Sequence, residues 1–190
     1  MDDAAPGGLR LVEEFVNTRS AETATDDVAD PAALAGWLAE RGLLAEGARV
    51  TPGEHRRALR FREGLRALVA VNTGIVIDAD PGSGEALDLG ALADLGPFAH
   101  ELALAVDVAA VPPVLVARTT KPLDRALAGF LVAIAEAVAD GTWARLKVCR
   151  QPYCRWVYYD HSRNRSRAWC DMATCGNRAK ARAFRQRGSQ

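Results

Sequence analysis

Near the C-terminal end the chain reads Cys149-Arg-Gln-Pro-Tyr-Cys154 and, fifteen residues later, Cys170-Asp-Met-Ala-Thr-Cys175. These are all four cysteines of the 190 residues. Two close pairs separated by a spacer of this length are the sequence form of a four-thiolate zinc site: each pair supplies two sulfurs from one turn, and the spacer lets the pairs converge on a tetrahedron. The spacing therefore predicts one structural Zn²⁺ held by Cys149, Cys154, Cys170 and Cys175. With four thiolates the shell is closed, which leaves no position for substrate. Three other readings fit the residues less well. Two disulfides need an oxidising compartment. An iron–sulfur cluster also takes four thiolates. His161 can replace a cysteine as ligand.

Within this module Trp156-Val-Tyr-Tyr-Asp160 is β-prone, Ser162-Arg-Asn-Arg-Ser-Arg167 reads as a turn, and Ala168-Trp169 as a returning strand that brings Trp156 and Trp169 beside the metal. Gly176-Asn177 permits a tight turn after the last sulfur. Residues 178–187 follow as a helix, with Ala179 and Ala183 facing the module and Arg178, Arg182 and Arg185 on another face, flanked by Lys180 and Arg187.

The net charge of zero conceals a division. Residues 141–190 carry twelve Lys and Arg against Asp160 and Asp171, a net of +10, so residues 1–140 carry −10. An apolar fraction of 49% is enough for an ordinary core, and no apolar run approaches the ~20 residues that span a bilayer. The opening Met-Asp-Asp-Ala-Ala-Pro-Gly-Gly lacks the apolar stretch of a signal peptide, so a cytoplasmic location is expected.

The acidic part reads mainly as helix. Leu11, Val12, Phe15 and Val16 share a face, the segment from Arg19 to Ala29 reads as a loop, and Asp30-Pro31 opens a helix carrying Leu34, Trp37 and Leu38. Thr51-Pro-Gly-Glu54 is a capping box that starts a long helix with Ala58, Phe61, Leu65, Leu68 and Val69 on one face. Arg56, Arg57, Arg60, Arg62 and Arg66 surround that stripe, and a solvated face paired with local carboxylates is the reading. Pro81 to Gly84 reads as a turn before a short helix over 85–95. Leu102, Leu104, Val106 and Val108 alternate as a strand that turns at Pro112-Pro113 and returns through Val114 to Ala117. A last helix bears Leu123, Leu127, Phe130, Leu131, Ile134 and Val138 and closes at Gly141. His55 and His100 stand apart from any nucleophile motif, and no phosphate-binding glycine loop is present, so no enzyme is expected. Asn17-Thr18 reads as a helix end. The expected fold is mainly α with a small β-hairpin over residues 1–142, followed at 143–190 by a four-cysteine β-hairpin-plus-helix zinc finger.

Cys175-Gly176-Asn177-Arg178, with Asp160, Ser162-Arg163-Asn164, Ser166-Arg167, Trp169-Cys170, Met172 and Ala179-Lys180 around it, resembles the CGNR zinc-finger family over residues 146–187. Phe15-Val16-Asn17-Thr18, the 34–44 segment with Trp37, and Arg62-Glu63-x-Leu65 resemble the helical ABATE domain, described as a putative stress-induced transcription regulator. The resemblance implies a bacterial cytoplasmic regulator with a DNA-binding finger. On that reading Arg163, Arg165, Arg167, Arg178, Lys180, Arg182 and Arg185 meet nucleic acid, and the acidic body senses a small-molecule effector or forms a homodimer. The alternative is a zinc-stabilised interaction module whose basic finger docks on its own acidic body or on an acidic partner.

Overall fold

A computed structural model describes residues 4–74 and 89–187. Among the described residues the acidic part is a set of five helices with two small hairpins. α1 spans Leu9–Asn17, and β1 (Arg19–Ser20) and β2 (Thr25–Asp26) form a two-residue ladder after it. α2 (Pro31–Glu40) starts where the Asp30 carboxylate accepts from the amides of Ala32 and Ala33 at 2.8 and 2.9 Å. α3 (Pro52–Asn72) starts at the Thr51–Glu54 capping box, both arms of which form. α4 (Leu89–Glu101), the antiparallel pair β3 (Leu104–Asp107) and β4 (Val114–Ala117), and α5 (Pro122–Ala139) complete it.

The core is built where α1, α3 and α5 meet. Phe15 packs on Phe130 at 4.8 Å between ring centroids and on Trp37 at 5.4 Å, and Phe61 joins them through Phe98 and Phe130. α4 crosses close against α3 because Gly64 carries no side chain. A Cβ there would lie 2.6 Å from Leu95 Cγ and 2.8 Å from the Ala91 carbonyl oxygen, closer than atoms approach. A glycine inside an arginine-rich helix is the sequence trace of that crossing.

Three readings of the body change. The segment from Arg19 is the ordered β1–β2 hairpin, not a loop, because its end is gripped from below: Arg62 donates through Nη1 and Nη2 to the two Asp26 oxygens, both at 2.8 Å. α4 runs on through Pro97 to Glu101 instead of ending near Leu95, since Phe98 must reach Phe61 and Leu102 is buried beyond it. The proposed turn at Pro81 to Gly84 and the helix start at residue 85 lie outside the described residues. The α3 arginines also divide. Arg57 pairs with Glu101 at 2.7 Å and with Asp124, as a solvated face would, and Arg60 meets Asp94 at 3.7 Å. Arg62 and Arg66 are instead buried. They sit beside Phe61 and Leu65, one turn apart, so the apolar stripe carries them inward.

The chain then passes from α5 through a 3₁₀ turn (Trp143–Arg145) into β5 (Leu146–Val148), which pairs antiparallel with β6 (Val157–Tyr159). All six residues are buried, and Leu146, Val148, Val157 and Tyr159 belong to the same apolar core as Phe15 and Phe61. A two-stranded ribbon has two open edges, and here each is closed by a helix end. Asn17, the last residue of α1, donates to the Val157 carbonyl at 2.7 Å and accepts from the Val157 amide at 2.8 Å, as a neighbouring strand would. On the other edge Asn72 donates to the carbonyls of Trp143 and Leu146 at 2.9 and 3.0 Å, and the Thr73 hydroxyl accepts from the Val148 amide at 2.9 Å. Asn17 thus ends its helix as the sequence suggested, and its side chain also holds a strand 140 positions away.

Arg62 is the most exacting of the buried polar groups. It also donates to the Thr18 hydroxyl at 3.0 Å and to Glu63 at 3.0 Å. Burial opposes ionisation of Asp26, but the Arg62 hydrogen bonds and charge outweigh it and hold the carboxyl below its ordinary range. Replacing Arg62 by Met leaves the half-buried Asp26 with the Val28 amide but without its arginine, and urea denaturation should show a loss of about 3 kcal/mol at neutral pH. A depressed carboxyl pKa contributes stability above its ordinary value of about 3.9, and that contribution fades as pH falls through the folded value. The gap between wild type and Arg62→Met should therefore narrow on acidification.

Candidate metal centre and basic surface

The first cysteine pair is presented by the ribbon. Cys149 follows β5 directly, its amide donates to the Trp156 carbonyl at 2.8 Å, and residues 149–154 form the turn before β6. At Arg155 the backbone enters the left-handed region, φ 55°, which lets the Trp156 amide face the Cys154 sulfur. A non-glycine residue there costs roughly 1–2 kcal/mol. Arg66 offsets the strain from the body: its Nη1 donates to the Arg155 carbonyl at 2.8 Å, and its Nη2 donates to Val16 at the end of α1 at 2.7 Å.

The second pair is delivered by a wrapped loop rather than a returning strand. β6 pairs with β5, not with residues 168–169, which corrects the strand–turn–strand reading. The buried Lys147–Asp160 pair organises the loop. Lys147 Nζ donates to Asp160 Oδ2 at 2.7 Å and to the Arg165 carbonyl at 2.5 Å. Asp160 also accepts from the amides of Ser162 and Arg167 at 2.9 and 3.0 Å. Burial works against this carboxylate, yet the Lys147 and Ser162 hydrogen bonds hold its pKa down at about 2. The loop returns so that the Arg150 amide donates to the Ala168 carbonyl at 3.1 Å. After Cys170, Asp171 accepts from the Thr174 amide at 2.6 Å and caps a π-type turn, Met172–Gly176, that carries Cys175 into place.

The four sulfurs lie within 4.8 Å of one another. Cys154 and Cys170 are 3.6 Å apart, and Cys170 and Cys175 are 3.8 Å apart. A tetrahedron with Zn–S bonds of about 2.3 Å has edges of about 3.8 Å, whereas a disulfide needs about 2.05 Å. The donor set therefore fits one zinc ion. Hydrogen bonds from Cys154 and Cys170, with backbone amides of Cys170 and Gln151, push the Cys149 thiol far down, and the same bonds push Cys154 and Cys170 up. Crowded thiols share one negative charge in this way, and a divalent cation at their centre lets all four ionise. Trp169 packs on the cysteine cluster as expected, but the other aromatic neighbour is Tyr158, whose hydroxyl donates to the Arg167 carbonyl at 2.7 Å. Trp156 is 39% exposed and outside the buried cluster, but it lines a cavity together with Cys154 and Cys170. His161 contacts the Ala4 carbonyl at 3.2 Å and stands outside the cluster.

The basic residues are dispersed around this centre. α6 (Asn177–Arg187) buries none of its residues. Arg178 pairs with Glu22 of the β1–β2 hairpin at 2.6 Å, and Arg182 is half-buried against the Gln151 side chain. Ala179 and Arg182 are the helix residues nearest the module, and Ala183 is exposed, so the expected Ala179–Ala183 face is rotated by part of a turn. Arg163, Arg165, Lys180 and Arg185 are exposed. Arg167 turns inward, donating to the carbonyls of Trp169 at 2.8 Å and of Cys170 and lying over the Tyr158 ring. The residues that sequence reasoning missed are Arg66, Lys147 and Asp160. Asp160 stood inside the motif, and Lys147 carried no signal beyond its alternation with Leu146 and Val148.

Protein purified without added metal should contain about one zinc per chain by elemental analysis and show no iron–sulfur absorbance. Arg66→Met removes the support of the Arg155 carbonyl without touching a ligand. Competition with a chelator should find zinc bound about tenfold more weakly or worse.

Comparison with known families agrees with this architecture. A comparison with curated proteins finds no significant match. The model described as CGNR zinc finger matches residues 145–188. The model described as putative stress-induced transcription regulator, ABATE, matches residues 9–142, well over half of the chain. The chain belongs to the ABATE family and carries a CGNR zinc finger positioned to bind one zinc ion.

Proposed function

We propose that the chain is a zinc-stabilised regulator that binds duplex nucleic acid through its finger. The observation that carries this reading is α6, an eleven-residue helix with no buried residue and five basic side chains, standing on a module of net +10. Arg163, Arg165, Lys180 and Arg185, all exposed, supply the phosphate contacts, with Arg167, Arg178 and Arg182 beside them. The finger's attachment to the body supports the same reading. It is made by apolar burial and by Asn17, Asn72, Thr73 and Arg66 at backbone groups, with the basic helix adding the exposed Arg178–Glu22 pair. That disfavours the interaction-module alternative in its self-docked form.

The same reading makes the chain a binding protein rather than an enzyme. Its buried titratable side chains have structural partners: His55 meets the Val28 carbonyl at 2.8 Å, and among the described residues no buried side-chain nitrogen or oxygen lacks a hydrogen bond. No described helix is long and apolar enough to cross a membrane. In the body, an effector or a second copy of the chain remains part of the proposal.

About 3–5 phosphate contacts from a module of this size give a slope of roughly −3 to −4.5 for log affinity against log salt. Mobility shift of the intact zinc-loaded protein on random duplex DNA should show it. Lys180→Ala with Arg185→Ala should weaken binding and flatten the slope by about two contacts' worth. Arg56→Ala with Arg57→Ala should leave both unchanged. Absence of binding at low salt would transfer support to an acidic protein partner.

A further inference from the structure

The four zinc ligands are not equally shielded. Cys149, Cys154 and Cys175 are buried, and Cys170 is only half-buried. Cys170 opens, with Cys154, onto a cavity of about 320 Å³ at the seam between the β1–β2 hairpin and the finger. Its other walls are Ser20, Glu22, Trp156 and Asp171. A small polar molecule can enter such a space, whereas the Cys149 and Cys175 sulfurs are not among its walls. The sulfurs of these two lining residues are 3.6 Å apart, so one lies within reach of any derivative formed on the other. Cys149 is fully buried and does not line the cavity.

We propose that Cys170 is a peroxide-reactive ligand and that its oxidation joins it to Cys154. The Cys170 thiolate attacks one oxygen of hydrogen peroxide. The O–O bond breaks, Cys170 becomes a sulfenic acid, and hydroxide leaves. The Cys154 thiolate then attacks the Cys170 sulfur, an S–S bond forms, the S–O bond breaks and a second hydroxide leaves. Two thiolates have lost two electrons in all, the peroxide has gained them, and its two halves leave as hydroxides that the solvent buffer neutralises. Closing from 3.6 Å to a disulfide removes two of the four ligands, and the remaining pair, Cys149 and Cys175, cannot complete a tetrahedron. The metal is lost, and α6, which follows Cys175 directly and buries nothing of its own, loses its anchor. The inference rests on the zinc site alone and stands whether or not the finger binds nucleic acid.

The test uses the full-length zinc-loaded protein and hydrogen peroxide, with released zinc read by a chromogenic chelator. Disulfides are mapped by mass spectrometry after alkylation. The expected result is one zinc released per chain together with a Cys154–Cys170 bridge, Cys149 and Cys175 being recovered alkylated. A bridge that joins chiefly Cys149 or Cys175, or no zinc release under peroxide, overturns the proposal. Trp156→Ala widens the cavity mouth and should speed release by about threefold or more at unchanged zinc content. An unchanged release rate in that variant would also overturn it. Dithiothreitol with added zinc should restore the starting zinc content, since a disulfide is reversible and higher oxidation is not.

Discussion

The structure depends on how the edges of the β5–β6 ribbon are closed. A two-stranded ribbon is marginal by itself because half of its backbone groups face outward unpaired. Here the side chains of Asn17 on one edge and of Asn72 and Thr73 on the other take the place of flanking strands. These residues lie at the ends of α1 and α3, the helices that bring Phe15 and Phe61 to the core. The first zinc knuckle is therefore an extension of the body's packing, and two of the four sulfurs are placed by helices that never approach the metal. A chain divided by family boundaries near residue 143 is continuous in its core.

That continuity explains why opposite charge does little of the joining. The body carries −10 and the finger +10, an arrangement that invites a picture of electrostatic docking. Exposed ion pairs are screened by water and add little, and Arg178–Glu22, half-exposed on both sides, is of that kind. The firm polar contacts are buried and directional. Arg66 spans three backbone carbonyls, at Val16, Arg19 and Arg155, and so ties α1, the β1–β2 hairpin and the knuckle with one guanidinium. Burial lowers its pKa despite Glu63 beside it, but arginine begins high enough to stay charged. On α6, Arg178 and Arg182 meet Glu22 and Gln151, while Lys180 and Arg185 are exposed.

Much of this was legible in the residues. The paired cysteine spacing identified all four sulfurs, because thiolate geometry restricts the spacing that chelates. The capping box at Thr51–Glu54 and the Asp30-Pro31 start appeared where they were read, since capping is local chemistry. What was not legible depends on partners distant in sequence. Nothing near Asn17 specifies Val157, and Arg62 and Arg66 look like surface arginines until Asp26 and Arg155 are placed beside them. The finger's strand pairing was misread for a similar reason: Leu146 to Val148 precedes the cysteines, whereas Ala168-Trp169 lies between them and looked like the partner. Pairing went to the segment with one face buried by the body, through Leu146 and Val148, and the other by the finger's loop, through Lys147.

The central claim is that the ribbon belongs to the body and the rest of the finger to the metal. Amide hydrogen exchange on the intact protein, before and after zinc removal by a chelator, tests it directly. Val148 and Val157, whose amides donate to Thr73 and Asn17, should keep their protection without zinc, while residues 170–187 should lose theirs. Loss of protection at Val148 and Val157 on chelation would contradict the account and make the metal, not the helix ends, the holder of the ribbon.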